Sequence, residues 1–185
     1  MKRTGRGGAA PETAQYRQRI ETPLGAVTLV SDGEALCRLT FDAAEPAGET
    51  VKLPVFDETR RWLQTYFSGR DPITAPKLSL SGTPFQQRVW REIQRIPFGK
   101  TESYAALAAR LGTSARAIGH AAGQNPVLLI VPCHRVVGKN GALAGYAGGQ
   151  ERKRELLANE RGGAGIRMHG SECINKPGAN MGQPV

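Results

Sequence analysis

The chain has 185 residues, enough for one domain or two small lobes sharing an interface, and 25 Lys and Arg against 16 Asp and Glu give it a net charge of +9. No apolar run approaches the roughly 20 residues of a membrane helix, and the basic start MKRTGRGGAAPETAQ lacks the apolar stretch of a secretory signal. A cytoplasmic protein without a membrane span is expected, and its charge favours polyanionic partners while leaving DNA, RNA and anionic surfaces open.

Residues 1–16 carry too few apolar side chains to offset the entropy of ordering them and read as a flexible arm. RIETPLGAVTLVSDG and EALCRLTFD then predict two strands around a turn at Ser31, Asp32 and Gly33. A helix follows over 57–68, with Asp57 as cap, Trp62, Leu63, Tyr66 and Phe67 on one apolar side, and Gly69 as the stop. Pro72 and Pro76 mark an extended linker. At Thr83 a second helix begins: Thr83 caps, Pro84 suits the first turn, Gln86 completes a capping box, and Phe85, Val89, Ile93 and Ile96 recur at helical spacing.

Two short helical patterns, 103–111 and 114–122, are hinged at Gly112, with Ala108 small enough for close helix approach and Ile118 facing inward. Together they suggest a helix-turn-helix, although Ala-rich helix pairs also occur in structural bundles. The apolar run Val127 to Val131 predicts a buried strand stopped by Pro132, with a turn around Lys139 to Gly141. Helical spacing returns over 151–160 with Leu156 and Leu157 apolar. Residues 162–185, rich in Gly and Pro, read as a disordered tail.

Cys37, Cys133 and Cys173 are odd in number and without CxxC spacing, and His120, His134 and His169 form no ligand-spaced set. Reduced thiols and no metal are expected. Cys133 stands between Pro132 and the pair His134, Arg135, and a base or positive field beside a thiol can lower its pKa and raise the attacking thiolate fraction. A lone cysteine is more often inert packing, but two basic neighbours are odd choices for packing. A base needs an orienting partner, and Glu160 can return to His134 through the fold. By itself Glu160 reads as a solvated charge at a helix end, and Asn125 with Pro126 as a turn.

The stretch from TPFQQRVW through IPFGKTESYAALA, SARAIGHAAGQNP, IVPCHRVVG and GYAGG to RKRELLANE resembles the methylated-DNA–protein-cysteine methyltransferases, the O6-alkylguanine-DNA alkyltransferases. The similarity spans about residues 19–160, and PCHRV with an upstream NP and a downstream GYAGG is its most specific part. It implies an α/β (α+β) fold: a small N-terminal β-rich, ribonuclease H-like lobe (17–80), then a mostly helical lobe (81–161) with a helix-turn-helix.

The implied activity is single-turnover transfer of an alkyl group from O6-alkylguanine, and from O4-alkylthymine, in duplex DNA to Cys133. The resemblance assigns deprotonation of Cys133 to His134, acting through a water and oriented by Glu160, with Asn125 holding the arrangement and Tyr104 donating a proton to the leaving base. The target atom is hidden in a stacked duplex, so the base is flipped out. Arg116 would take its place in the stack, while Ala115, Ala117 and Gly119 permit close approach to the minor groove. Tyr146, Val136, Ala147, Gly148 and Gly149 would wall the base pocket, supported by Lys153. The resemblance implies no cofactor, duplex DNA carrying O6-alkylguanine as partner, and a monomer in solution that can bind DNA cooperatively. The zinc site that some relatives carry has no matching residues here, and the tail with Cys173 falls outside the similarity.

A DNA-binding regulator leaves PCHR unexplained, and a Cys-His hydrolase or thiol redox enzyme leaves the basic helix pair unexplained. A sensor that binds lesions without repairing them leaves Cys133 without a role.

Overall fold

The computed structural model describes residues 16–41 and 51–162. The arm up to residue 15 and the tail from residue 163, with His169 and Cys173, lie outside the described residues.

The N-terminal lobe is an antiparallel meander of three strands, β1 (Tyr16–Ile20), β2 (Val27–Ser31) and β3 (Leu36–Thr40), in that order across the sheet. Two strands were expected. The segment RIETPLGAVTLVSDG contains a reversal of its own, closed where Gly25 N–H donates to the Thr22 carbonyl at 3.1 Å, so its first residues form β1 and its last form β2. The expected second turn is present: the Asp32 carboxylate accepts from the backbone N–H groups of Glu34 and Ala35 at 3.0 and 2.8 Å. All of β2 is buried, so the lobe's core lies against this central strand.

Helix α1 (Pro54–Phe67) begins before the position expected for it. Leu53 is its N-cap and Pro54 occupies the first turn, where a missing N–H costs nothing. Asp57 therefore lies inside the first turn, where its charge favours the positive end of the helix dipole but caps nothing. Val55, Phe56, Trp62, Leu63, Tyr66 and Phe67 are buried, as the apolar spacing requires. The linker after Pro72 is pinned to the edge of β3, since Leu36 N–H donates to the Lys77 carbonyl and Ser79 N–H to the Leu36 carbonyl.

Helix α2 (Pro84–Gln94) carries the expected capping box: Thr83 Oγ1 accepts from Gln86 N–H at 3.2 Å, and Gln86 Oε1 accepts from Thr83 N–H at 2.8 Å. A short strand β4 (Glu102–Ser103) leads into α3 (Tyr104–Leu111) and α4 (Ala115–Gly123). Ser103 and Ser114 cap these helices through their hydroxyls, and Gly112 takes the left-handed conformation, φ 62°, between them. Ala108 and Ile118 are buried at the helix contact. The indole N–H of Trp90 donates to the Ala121 carbonyl at 2.8 Å and fixes α4 against α2.

The apolar run 127–131 is not the expected strand. Val127 forms one parallel bridge to Leu39, and the chain then coils through turns in which Ile130 N–H donates to Leu128 and Val131 N–H to Val127. Local turns satisfy the backbone donors of a fully buried segment as well as a ladder does, and apolar periodicity cannot separate the two. Bonds from Leu39 N–H to the Pro126 carbonyl and from Leu128 N–H to the Leu39 carbonyl, both 2.9 Å, tie this segment to β3. After a 3-10 turn at Cys133–Arg135, strand β5 (Val136–Val137) pairs in parallel with β4, and α5 (Gln150–Glu160) closes the fold. One continuous core joins β2, α1, α2, α3, α4 and α5. No described helix is long and apolar enough to cross a membrane.

Replacing Thr83 by Ala removes one half of the capping box and is expected to lower the unfolding free energy by about 1 kcal/mol in chemical denaturation.

Candidate active site

Cys133 opens the 3-10 turn with 4% of its surface exposed. Its sulfur accepts from Asn125 Nδ2 at 3.1 Å, and the same amide donates to the Val131 carbonyl at 2.8 Å. Asn125 Oδ1 in turn accepts from Val127 N–H. The turn expected at Asn125 is thus also a clamp that fixes the thiol relative to the coil before it.

The next residue, His134, is fully buried. Its Nε2 lies 2.7 Å from Glu160 Oε1, the pairing sequence spacing alone could not establish. Glu160 also accepts from the Arg135 guanidinium, from Gly99 N–H at 3.0 Å and from the Tyr66 hydroxyl at 2.8 Å. Gly99 has φ +73°, and a Cβ there would sit 3.0 Å from the Glu160 carbonyl oxygen, so the loop after α2 reaches the carboxylate only as glycine. Neither Tyr66 nor Gly99 carries a mark in the sequence, Tyr66 being one of several aromatics on an apolar helix face and Gly99 a glycine in the loop after a helix.

Burial acts to raise the Glu160 pKa, but the hydrogen bonds of His134 and Arg135 and the positive charge of the Arg135 guanidinium outweigh it and hold the carboxyl at about 2. An ionised carboxylate accepts and cannot donate, so the His134 proton belongs on Nε2 and the lone pair on Nδ1. Nδ1 has no hydrogen-bond partner among the described residues. Burial lowers the His134 pKa against the pull of Glu160, keeping the imidazole neutral and able to take a proton.

The thiol differs from expectation. Burial pushes Cys133 up to about 11, opposed by the Asn125 bond and the charge of Lys153. Arg135 does not lower it, because its guanidinium is committed to Glu160 and to the Ile96 carbonyl at 2.7 Å. The resting group is a thiol that needs a base.

Beside this cluster lies an open cavity of about 930 Å³. Tyr104, Ala115, Arg116, Gly119, Tyr146 and Ala147 are among the residues that line it. Tyr104 is half-buried, its hydroxyl 3.5 Å from the Gly145 carbonyl, and burial followed by the proximity of Cys133 raises its pKa, so it remains a proton donor. Arg116 is exposed at the N-terminus of α4. Ala117 is set back in the Ser114 cap and is half-buried.

Val136, Gly148 and Gly149 do not line the cavity. The Val136 carbonyl instead accepts from the buried Lys153 ammonium at 2.6 Å, which also reaches the Ala144 carbonyl at 3.1 Å and so holds the loop carrying Tyr146. A Cβ on Gly148 would lie 2.5 Å from the Tyr146 ring and 3.1 Å from Phe41, so its role is to let the loop pack. Among the described residues no group of three or more His, Cys, Asp or Glu is placed to hold a metal ion.

A protonated buried thiol, a neutral histidine oriented by a buried carboxylate, and an adjoining cavity edged by a capped helix pair make up the candidate active site. Residues 16–80 match the 6-O-methylguanine DNA methyltransferase ribonuclease-like domain, and residues 84–162 match the DNA binding domain of 6-O-methylguanine DNA methyltransferase. The methylated-DNA–protein-cysteine methyltransferase of Mycolicibacterium paratuberculosis is 41% identical over 153 residues, covering 80% of this chain and 92% of the relative. The crystal structure of Mycobacterium tuberculosis O6-methylguanine methyltransferase superposes with a TM-score of 0.71 at 40% identity over 80% of this chain and 93% of that one. A DNA-bound structure from the same organism gives the same score and identity over 78% and 92%. This chain belongs to the methylated-DNA–protein-cysteine methyltransferase family.

The native protein keeps the Cys133 proton to about pH 11, whereas an unfolded cysteine releases it near 9.0, so alkali favours the unfolded state. Relative to Cys133→Ala, the wild type is expected to lose up to about 2–3 kcal/mol of stability between pH 9 and 11. Urea denaturation across that interval measures it; parallel pH dependences would mean the thiol is not held protonated.

Proposed function

We propose that Cys133 takes the alkyl group from O6-alkylguanine in DNA and that each protein molecule does so once. The sulfur attacks the alkyl carbon, a new S–C bond forms and the C–O6 bond breaks. The thiol proton passes to His134 Nδ1 through a water, and the departing guanine takes a proton from the Tyr104 hydroxyl. His134 then returns its proton through solvent to Tyr104, so the sum is exchange of a thiol proton for an alkyl group. The product is a thioether, which no group of this chain can reverse, and no cofactor enters.

The observation that carries this reading is the Glu160–His134 contact at 2.7 Å, which leaves the lone pair on Nδ1 in the residue that follows a thiol held protonated by burial. Asn125 holds the sulfur in place and offers its growing negative charge a hydrogen bond.

DNA is the partner, and the finer reading is minor-groove docking by α4 with the damaged nucleotide turned out into the cavity. Ala115 and Gly119, small and lining the cavity, would permit that approach, and Arg116 between them would enter the stack. Tyr146 and Ala147 face the extruded base, with Lys153 bracing their loop. The same pocket would take O4-alkylthymine. We place the protein in the cytoplasm, as a monomer before it meets DNA, where Cys133 stays reduced.

Intact-mass spectrometry after mixing with a duplex containing one O6-methylguanine tests the proposal. The wild type should gain the mass of one methylene, map it to Cys133 and stop at one per molecule, while Cys133→Ser gains nothing. Tight lesion binding with no mass gain would instead make the protein a sensor.

A further inference from the structure

We infer that Tyr66, contributed by the N-terminal lobe, is a positioning residue for proton abstraction: its hydroxyl fixes the proton of His134 on Nε2 and shares the Glu160 carboxylate with it. The inference rests on the alkyl-transfer reading of the site.

Tyr66 is fully buried, and its hydroxyl touches two members of the relay at once, Glu160 Oε1 at 2.8 Å and His134 Nε2 at 3.2 Å. A phenol has one proton. The ionised carboxylate can only accept, so that proton points to Oε1 and the phenol oxygen presents its lone pairs to Nε2. Both groups facing Nε2 are then acceptors. An unprotonated Nε2 would meet two lone-pair atoms at once, whereas an Nε2–H satisfies both.

The ring cannot turn away from this position. Trp62 stacks on it with centroids 5.3 Å apart and planes 8° from parallel, and Phe67 and Phe98 meet it edge-on. The placement is independent of the 3-10 turn that carries Cys133 and His134, since Tyr66 comes from α1 and is anchored again where Asn159 Nδ2 donates to its carbonyl at 2.9 Å. The N-terminal lobe thereby supplies an atom of the relay.

Charge sets the direction of the effect. The groups facing His134 are Glu160 and Lys153 from α5, Arg135 from its own turn, Tyr66 from α1 and Tyr146 from the loop before α5. Of the charged groups among these, only Glu160 favours the imidazolium. Donation from Tyr66 disperses charge on the same oxygen that faces Nε2, which weakens that pull and helps burial keep the imidazole neutral. Removing the hydroxyl concentrates the charge and makes His134 easier to protonate, and a protonated imidazole cannot accept the thiol proton.

The test is Tyr66→Phe in the full chain, with the methyl-transfer rate measured from pH 5 to 9 on an O6-methylguanine duplex. Nuclear magnetic resonance titration of the His134 ring is run beside it. The acid limb of the rate profile and the His134 titration should both move up by about half a pH unit or more, roughly a threefold loss of rate on that limb. Leu63→Ala, which loosens the same helix without touching the hydroxyl, should leave both midpoints in place and separates the effect from lost stability. Normal transfer by the wild type with coincident profiles for Tyr66→Phe would overturn the role of Tyr66 alone. No methyl uptake by the wild type would overturn the alkyl-transfer reading and this inference with it.

Discussion

The Glu160 carboxylate is an ionised group inside the core, and most of the C-terminal architecture can be read as the set of donors that makes this tolerable. Removing a carboxylate from water costs several kcal/mol even after relaxation, and only well-placed donors offset it. Here they converge from separate segments: Tyr66 from α1, Gly99 from the loop after α2, and His134 with Arg135 from the 3-10 turn. Because the donors come from both lobes, the lobes must be docked for the charge to be satisfied. The carboxylate is thus a folding constraint and a functional one through the same bonds.

That constraint explains why the turn after Pro132 carries two basic residues in sequence. Arg135 neutralises the charge and reaches across to the Ile96 carbonyl at the end of α2, while His134 spends its Nε2 proton on the carboxylate and keeps Nδ1. The division is sharp: one neighbour stabilises the anion permanently, the other is oriented by it. A lysine in place of Arg135 would supply charge without the planar fork that contacts both carboxylate oxygens and the carbonyl together.

The features legible in the sequence were those written locally. The capping box at Thr83 and the turn at the left-handed Gly112 each depend on residues within one turn of chain, so their types announce them. PCHR announced the chemistry for a similar reason, since its odd composition sits in consecutive positions. What stayed hidden depends on distant partners. The coil at 127–131 looked like a strand because both are simply buried. Asp57 looked like a cap because capping residues also favour the first turn. Tyr66 carries no mark in a helix face of Trp, Leu and Phe, and its hydroxyl acquires meaning only when residue 160 folds back against it. The elevated thiol pKa was invisible too: neighbouring basic residues suggest a lowered value, but burial is a property of the whole fold.

The high pKa of Cys133 suits a protein that can act only once. A thiolate reacts with oxidants and stray electrophiles wherever it is exposed, and each such event would consume the molecule without repairing anything. Burial keeps the sulfur protonated and 4% exposed, so its nucleophilicity is withheld rather than advertised. On the proposed mechanism, reactivity depends on three conditions met together: an alkyl carbon held in line with the sulfur, a neutral His134 to take the proton, and a donor for the leaving base. In that proposal a base seated in the cavity that Tyr104 and Tyr146 line would meet the donor it needs. On that mechanism the thiol is activated by deprotonation at His134 rather than held as a standing thiolate, so burial and protonation guard it between encounters.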